Sequence, residues 1–196
     1  GETTDTIIVH ACHPGSHHLR ITARYSDGES RWIGPASYFS HGDPVSISDE
    51  KLRIAINTVS GVPSSQRISH SPTEGELNDI RVLNVTNLES LDGIAHCKNL
   101  SQLTLFSSKT STELDLSELS GCSGLQLLKI TSYQLNSPES IGSLTKLQEL
   151  TLDNNSLSNL DFLSSLKDLY KLDIKENNLT DIGFLNGLDR LTWISL

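Results

Sequence analysis

The chain contains no methionine, and aromatic residues are only 5% of its 196 positions. A core built from it must therefore be aliphatic. Cysteine is scarce and odd in number (Cys12, Cys97 and Cys122). That argues against a disulfide scaffold without fixing the redox compartment. No run of about 18 apolar residues occurs, so no transmembrane helix is expected. Basic residues are in deficit, 15 against 24 acidic, for a net charge of −9. A surface of that sign repels phosphate backbones and anionic membranes, so neither nucleic acid nor membrane insertion is expected. Position 1 is Gly, and no charged segment followed by an apolar one comes after it. A mature or trimmed form is expected, with its targeting information removed. Fingerprints of nucleotide binding, of zinc hydrolases and of nucleophile elbows are missing too. Nothing in the sequence asks for a cofactor or a catalytic residue, and the expectation is a protein that is not an enzyme.

What is present is leucine, unevenly spread. Residues 1–76 hold only Leu19 and Leu52, whereas residues 77–196 hold 29 leucines. Histidine does the reverse, and only His96 lies after residue 76. Two kinds of structure are joined, with the seam between residues 45 and 80. The later part repeats L-x-x-L-x-L, with copies beginning at Leu100, Leu125, Leu147, Leu169 and Leu191 and a degenerate one at Ile80. The steps are 20, 25, 22, 22 and 22 residues. Around L-x-L the period is 2, that of a strand with one face buried. Afterwards it is 3, as in Leu157, Leu160, Leu163 and Leu166, which suits a 3₁₀ or extended return but not an α-helix. One such coil cannot bury its own leucines; stacked coils share a core.

These repeats resemble the leucine-rich repeat family. Their 22-residue form is similar to that of the internalins, a class of bacterial surface proteins, over roughly residues 47–196. The family's turn-bonding Asn matches Asn155 and Asn177; Ser108 and Tyr133 stand there in earlier copies, so irregular turns are expected. The 25-residue step places an insertion near Phe106–Glu113. Cys97 and Cys122 fall in a leucine row, as buried small hydrophobes or, one repeat apart, as a disulfide.

The expected fold is α/β, a solenoid with a parallel sheet on its concave face and 3₁₀ or extended returns on its convex face. Residues 80–196 give about six rungs, the last truncated or uncapped. Residues 47–79 read as a helical cap of the kind the resemblance implies. Within it, 47–61 read as a helix with Ser48 as N-cap, Ile47 and Leu52 as a hydrophobic staple, and Gly61 as terminator. Residues 1–46 read as a small antiparallel β module packed on the cap. Its strands at 6–12, 18–25 and 29–33 include a hairpin at Asp27-Gly28. His10, Cys12, His13, His17 and His18 crowd together there, with His41 further on. Their spacing matches no metal motif, and a polar strand end with a turn is the expectation.

Alternation assigns side chains to the exposed face of the sheet, where core packing does not dictate them. Phe106, Leu127 and Trp193 are apolar there. Lys129, Lys171 and Lys175 interleave with Glu149, Asp153 and Asp173. Aromatic anchors dominate many interfaces and charges set register, so these nine are the candidate partner-binding residues. The resemblance implies a protein partner, such as a host protein, met outside the cell or at the bacterial surface. The alternative is an intracellular scaffold similar to the phosphatase-regulating repeat proteins.

Overall fold

The computed structural model describes the backbone of residues 6–11, 19–24 and 30–35, and residues 43–196 with their side chains. The chain divides into two compact units, Gly1–His41 and Gly42–Leu196. In the first, β1 (Thr6–Ala11), β2 (Leu19–Arg24) and β3 (Ser30–Pro35) form an antiparallel sheet in the order β1-β2-β3. Thr6 pairs with Arg24, and the β2–β3 register shifts between Arg20 and Thr22. The Asp27-Gly28 hairpin and the His10, Cys12, His13, His17, His18 and His41 side chains lie outside the described residues.

The second unit begins with an extended segment. Pro44 bridges to Thr73, and the Val45 N–H donates to Pro72 O. Helix α1 (Glu50–Val59) follows. Its N-cap is Asp49, one residue later than expected. A carboxylate there accepts from two helix N–H groups at once, and it does more than Ser48 could. Oδ1 accepts from the N–H groups of Lys51 and Leu52, and Oδ2 from those of Glu89 and Ser90 in the first repeat. One side chain thus fastens the cap to the solenoid. Ser48 instead donates to Asp92 at 2.7 Å. The shift dissolves the expected staple spacing, though Ile47 and Leu52 are both in the core. The helix ends as expected at Gly61, whose φ of +78° is left-handed. Gly61 N–H bonds Thr58 O and Val62 N–H bonds Asn57 O, the paired bonds of a Schellman cap.

A second, short helix, α2 (Glu74–Asp79), was not anticipated. Thr73-x-x-Glu76 is a capping box, and both of its reciprocal bonds form. Leu77 on α2 and Leu52 and Ile56 on α1 are fully buried and continue the repeat core.

Eight strands follow: β4 (Val82–Thr86), β5 (Gln102–Phe106), β6 (Glu113–Asp115), β7 (Leu127–Thr131), β8 (Gln134–Asn136), β9 (Glu149–Thr151), β10 (Lys171–Asp173) and β11 (Trp193–Ser195). All but β6 and β8 make one parallel sheet, ordered β4-β5-β7-β9-β10-β11. The register stacks Leu83, Leu103, Leu128, Leu150, Leu172 and Ile194 in one row. Returns carry 3₁₀ turns at Ile94–His96, Ser117–Gly121, Pro138–Ser143, Asp161–Ser165 and Gly183–Leu185. Strands β6 and β8 pair in parallel on their own, in the stretch that follows the insertion.

Rungs approach closely on the return side. A Cβ at Gly121 would lie 2.8 Å from the Cα of Ala95, a distance real side chains do not reach. Cys97 and Cys122 are buried, unbridged thiols. Burial pushes Cys97 up to about 12 and Cys122 up to about 11, which keeps both protonated and unreactive. The last rung differs from the rest: Ile194 and Leu196 are exposed where their counterparts are buried.

Candidate functional site

Strand pairing fixes the exposed face as columns. The first runs Val82, Gln102, Leu127, Glu149, Lys171, Trp193. The second runs Asn84, Thr104, Lys129, Thr151, Asp173, Ser195. The third begins Thr86, Phe106, Thr131. Asp153 and Lys175 continue it at the 22-residue spacing, just past the ends of β9 and β10. Neighbours in a column are about 4.8 Å apart. All nine candidate residues therefore belong to one face.

The face has two halves of different chemistry. Over β4, β5 and β7, Val82 and Leu127 lie along one margin and Phe106 along the other. Val82 and Phe106 are 39% and 46% exposed, a large share for apolar side chains on a sheet. Asn84, Thr104 and Lys129 run between them. Lys129 has no carboxylate at ion-pair distance among the described residues.

Over β9, β10 and β11 the charges engage one another. Lys171 Nζ lies 3.3 Å from Glu149 Oε2 and 5.5 Å from the centre of the Trp193 ring. The Tyr170 hydroxyl donates to Glu149 Oε1 at 2.7 Å. That bond holds the Glu149 carboxyl below its ordinary range and raises the Tyr170 phenol. Lys175 Nζ lies 3.4 Å from Asp173 Oδ2, and the Lys175 N–H donates to Asp153 Oδ1 at 3.0 Å. Burial, and then the neighbouring Asp173 carboxylate, raise Asp153. Lys129, Tyr170, Lys171, Asp173 and Trp193 line one shallow concavity of about 620 Å³, floored by Thr151.

Sequence reading missed Tyr170. It precedes its strand, outside the alternation that picks the exposed face, and it is 40% exposed. Its signal was an aromatic at a position held by Arg81, Ser101, Gln126 and Gln148 in other rungs. Among the described residues no group of three or more His, Cys, Asp or Glu side chains is placed to hold a metal ion. No helix among them is long and apolar enough to cross a membrane.

No family model matches the chain, and no curated protein does. Solved structures do. One is an internalin, InlF, of Listeria monocytogenes, 27% identical with a TM-score of 0.67 over 74% of this chain. Another is InlP of the same organism, 15% identical with a TM-score of 0.57 over 80% of this chain, a likeness of fold alone. The chain spans 42% of the InlF chain's length and 54% of InlP's. With six parallel rungs, 3₁₀ returns and a helical cap behind the first strand, the chain is a leucine-rich repeat, internalin-like protein.

Proposed function

We propose that this protein is a non-enzymatic binding module that docks a protein partner on the exposed face of its sheet. The observation that carries this is the pair of apolar margins over β4, β5 and β7. Val82, Phe106 and Leu127 stand on a face that core packing leaves free, in a scaffold that would lose little entropy on binding. Apolar anchors with an unengaged lysine between them suit a partner segment with apolar side chains and a carboxylate to meet Lys129. The ion-paired half, from Glu149 and Asp153 to Lys171, Asp173, Lys175 and Trp193, sets orientation. The likeness to InlF supports a place at the bacterial surface or outside the cell, and a host protein as partner.

The test is capture from host extracts followed by titration of the captured protein. Phe106→Ala with Leu127→Ala should weaken binding by ~2 kcal/mol or more, with unchanged circular dichroism. Ser164→Arg on the convex side should leave it intact. The reverse pattern would move the docking site off the sheet.

A further inference from the structure

Among the apolar anchors of β4, β5 and β7 runs a polar strip that core packing does not explain. Asn84, Gln102, Thr104 and Lys129 face outward there, and their side chains have no hydrogen-bond partner among the described residues. Polar side chains at the rim of the same rungs are spent on the fold. The Ser101 hydroxyl donates to Arg81 O at 2.9 Å, Asn99 Nδ2 donates to Asn78 O at 2.9 Å, and Asn87 Oδ1 accepts from the Ser108 N–H and hydroxyl. In the strip two amides, a hydroxyl and an ammonium stay uncommitted. Each amide offers both donors and an acceptor. Lys129 is the one charged residue on the exposed face of these three strands.

The geometry points to an extended main chain as the occupant: a short, non-helical segment of the partner, crossing the three rungs and held by its peptide groups. This rests on the docking reading above and names the form in which the partner presents itself. A helix arrives with its peptide groups already paired and lays an apolar face on its groove. Here that face would cover Asn84, Thr104 and Lys129 and bury them without partners. An extended segment brings the opposite need. Its N–H and C=O groups have no partners of their own and must find them once covered. Successive side chains of such a segment leave on opposite sides. One set reaches Val82 and Leu127, two rungs or about 10 Å apart; the other reaches Phe106, about 13 Å across the strands. Its peptide groups then point alternately down onto the strip and up to solvent. A carboxylate meets Lys129. The segment thus carries consecutive apolar residues with one Asp or Glu beside them.

The experiment pans a phage-displayed library of random heptapeptides, too short to hold a helix in water, on the whole chain. Enriched sequences should combine consecutive apolar residues with one acidic residue. A synthetic peptide of that sequence should give strong Hα–HN and weak HN–HN sequential transferred NOEs when bound, the mark of an extended chain. Asn84→Ala with Gln102→Ala, which breaks no side-chain bond among the described residues, should weaken it at least about tenfold. Lys129→Ala should weaken it about threefold and make it equal to its carboxamide counterpart. An empty selection, strong sequential HN–HN contacts in the bound peptide, or binding indifferent to the Asn84 and Gln102 pair would each overturn the extended segment. If the protein captured from host extracts still needs Phe106 and Leu127, the docking face survives that result. Heptapeptides that bind equally well to Phe106→Ala with Leu127→Ala would bring down both.

Discussion

The upper and lower rungs of the solenoid solve one problem in two ways. Each rung turns sharply after its strand, which leaves backbone groups inside the stack that need partners. In the upper rungs an asparagine supplies them. Asn155 donates to Ile130 O at 2.8 Å and accepts from Tyr133 N–H at 2.9 Å. Asn177 does the same one rung later, toward Leu152 O and the N–H groups of Asn155 and Leu157. Below them Ser108 and Tyr133 stand at that position, and the Ser108 N–H is met from the first rung by Asn87 Oδ1 at 2.8 Å. There Tyr133 takes over. Its buried hydroxyl accepts from Leu88 N–H at 3.0 Å and donates to Phe106 O at 3.3 Å, reaching back to the first rung. A short amide suits a 22-residue step; a phenol spans the gap that a 25-residue step opens.

Asn155→Ala should lower stability more than any other single change in these turns. It leaves Tyr133 N–H and Ile130 C=O buried without partners, because Asn155 is 2% exposed and water does not reach them. A loss of about 3 kcal/mol is expected in urea unfolding, from two orphaned groups. A loss under about 1 kcal/mol would mean that the ladder contributes little and the leucines alone hold the stack.

Tyr133→Phe isolates the other solution. The ring and its packing remain, and only the hydroxyl goes. Leu88 N–H and Phe106 C=O lose a partner, for about 2 kcal/mol. Hydrogen exchange of the Leu88 amide should rise more than that of amides in the upper rungs. If Tyr133 served only to fill the core, phenylalanine would be neutral and the comparison between the two halves would fail.

The same contrast shows what could be read in advance. The row of leucines pinned the alternation, and alternation placed the strand residues of the exposed face, because a slip of one position would expose the core. The missing asparagine at Tyr133 was visible too, but only as an irregularity. That a phenol replaces it depends on a bond across two rungs, and spacing does not encode such reach. Asp49 was hidden for a related reason. As an N-cap it competes evenly with Ser48 in local propensity. What decides between them is a second pair of N–H groups 40 residues away. Tyr170 escaped because its side chain crosses to Glu149 on the neighbouring rung. Thr73-x-x-Glu76, by contrast, was fully local and simply went unread.

The smallest expected effect concerns Asp153, and it separates the charged half of the sheet from the rest by its pH dependence. Burial and the Asp173 carboxylate raise Asp153 above its unfolded value. The folded protein therefore holds a proton that the unfolded chain has already released. Stability falls as pH rises through the interval between the unfolded aspartate value, about 3.9, and the raised folded one. Above that interval the repulsion is fully present. Asp153→Asn removes it while keeping an oxygen for the Lys175 N–H and adding a donor toward Asp173. The variant should be more stable than the wild type at pH 7 by a few tenths of a kcal/mol, solvent screening holding the gain small. As pH falls through that interval, the wild-type carboxyl takes up its proton and the two melting temperatures should converge. A gap that stays constant with pH would place the destabilisation in packing rather than in the paired carboxylates, and the two halves of the sheet would no longer differ in electrostatics.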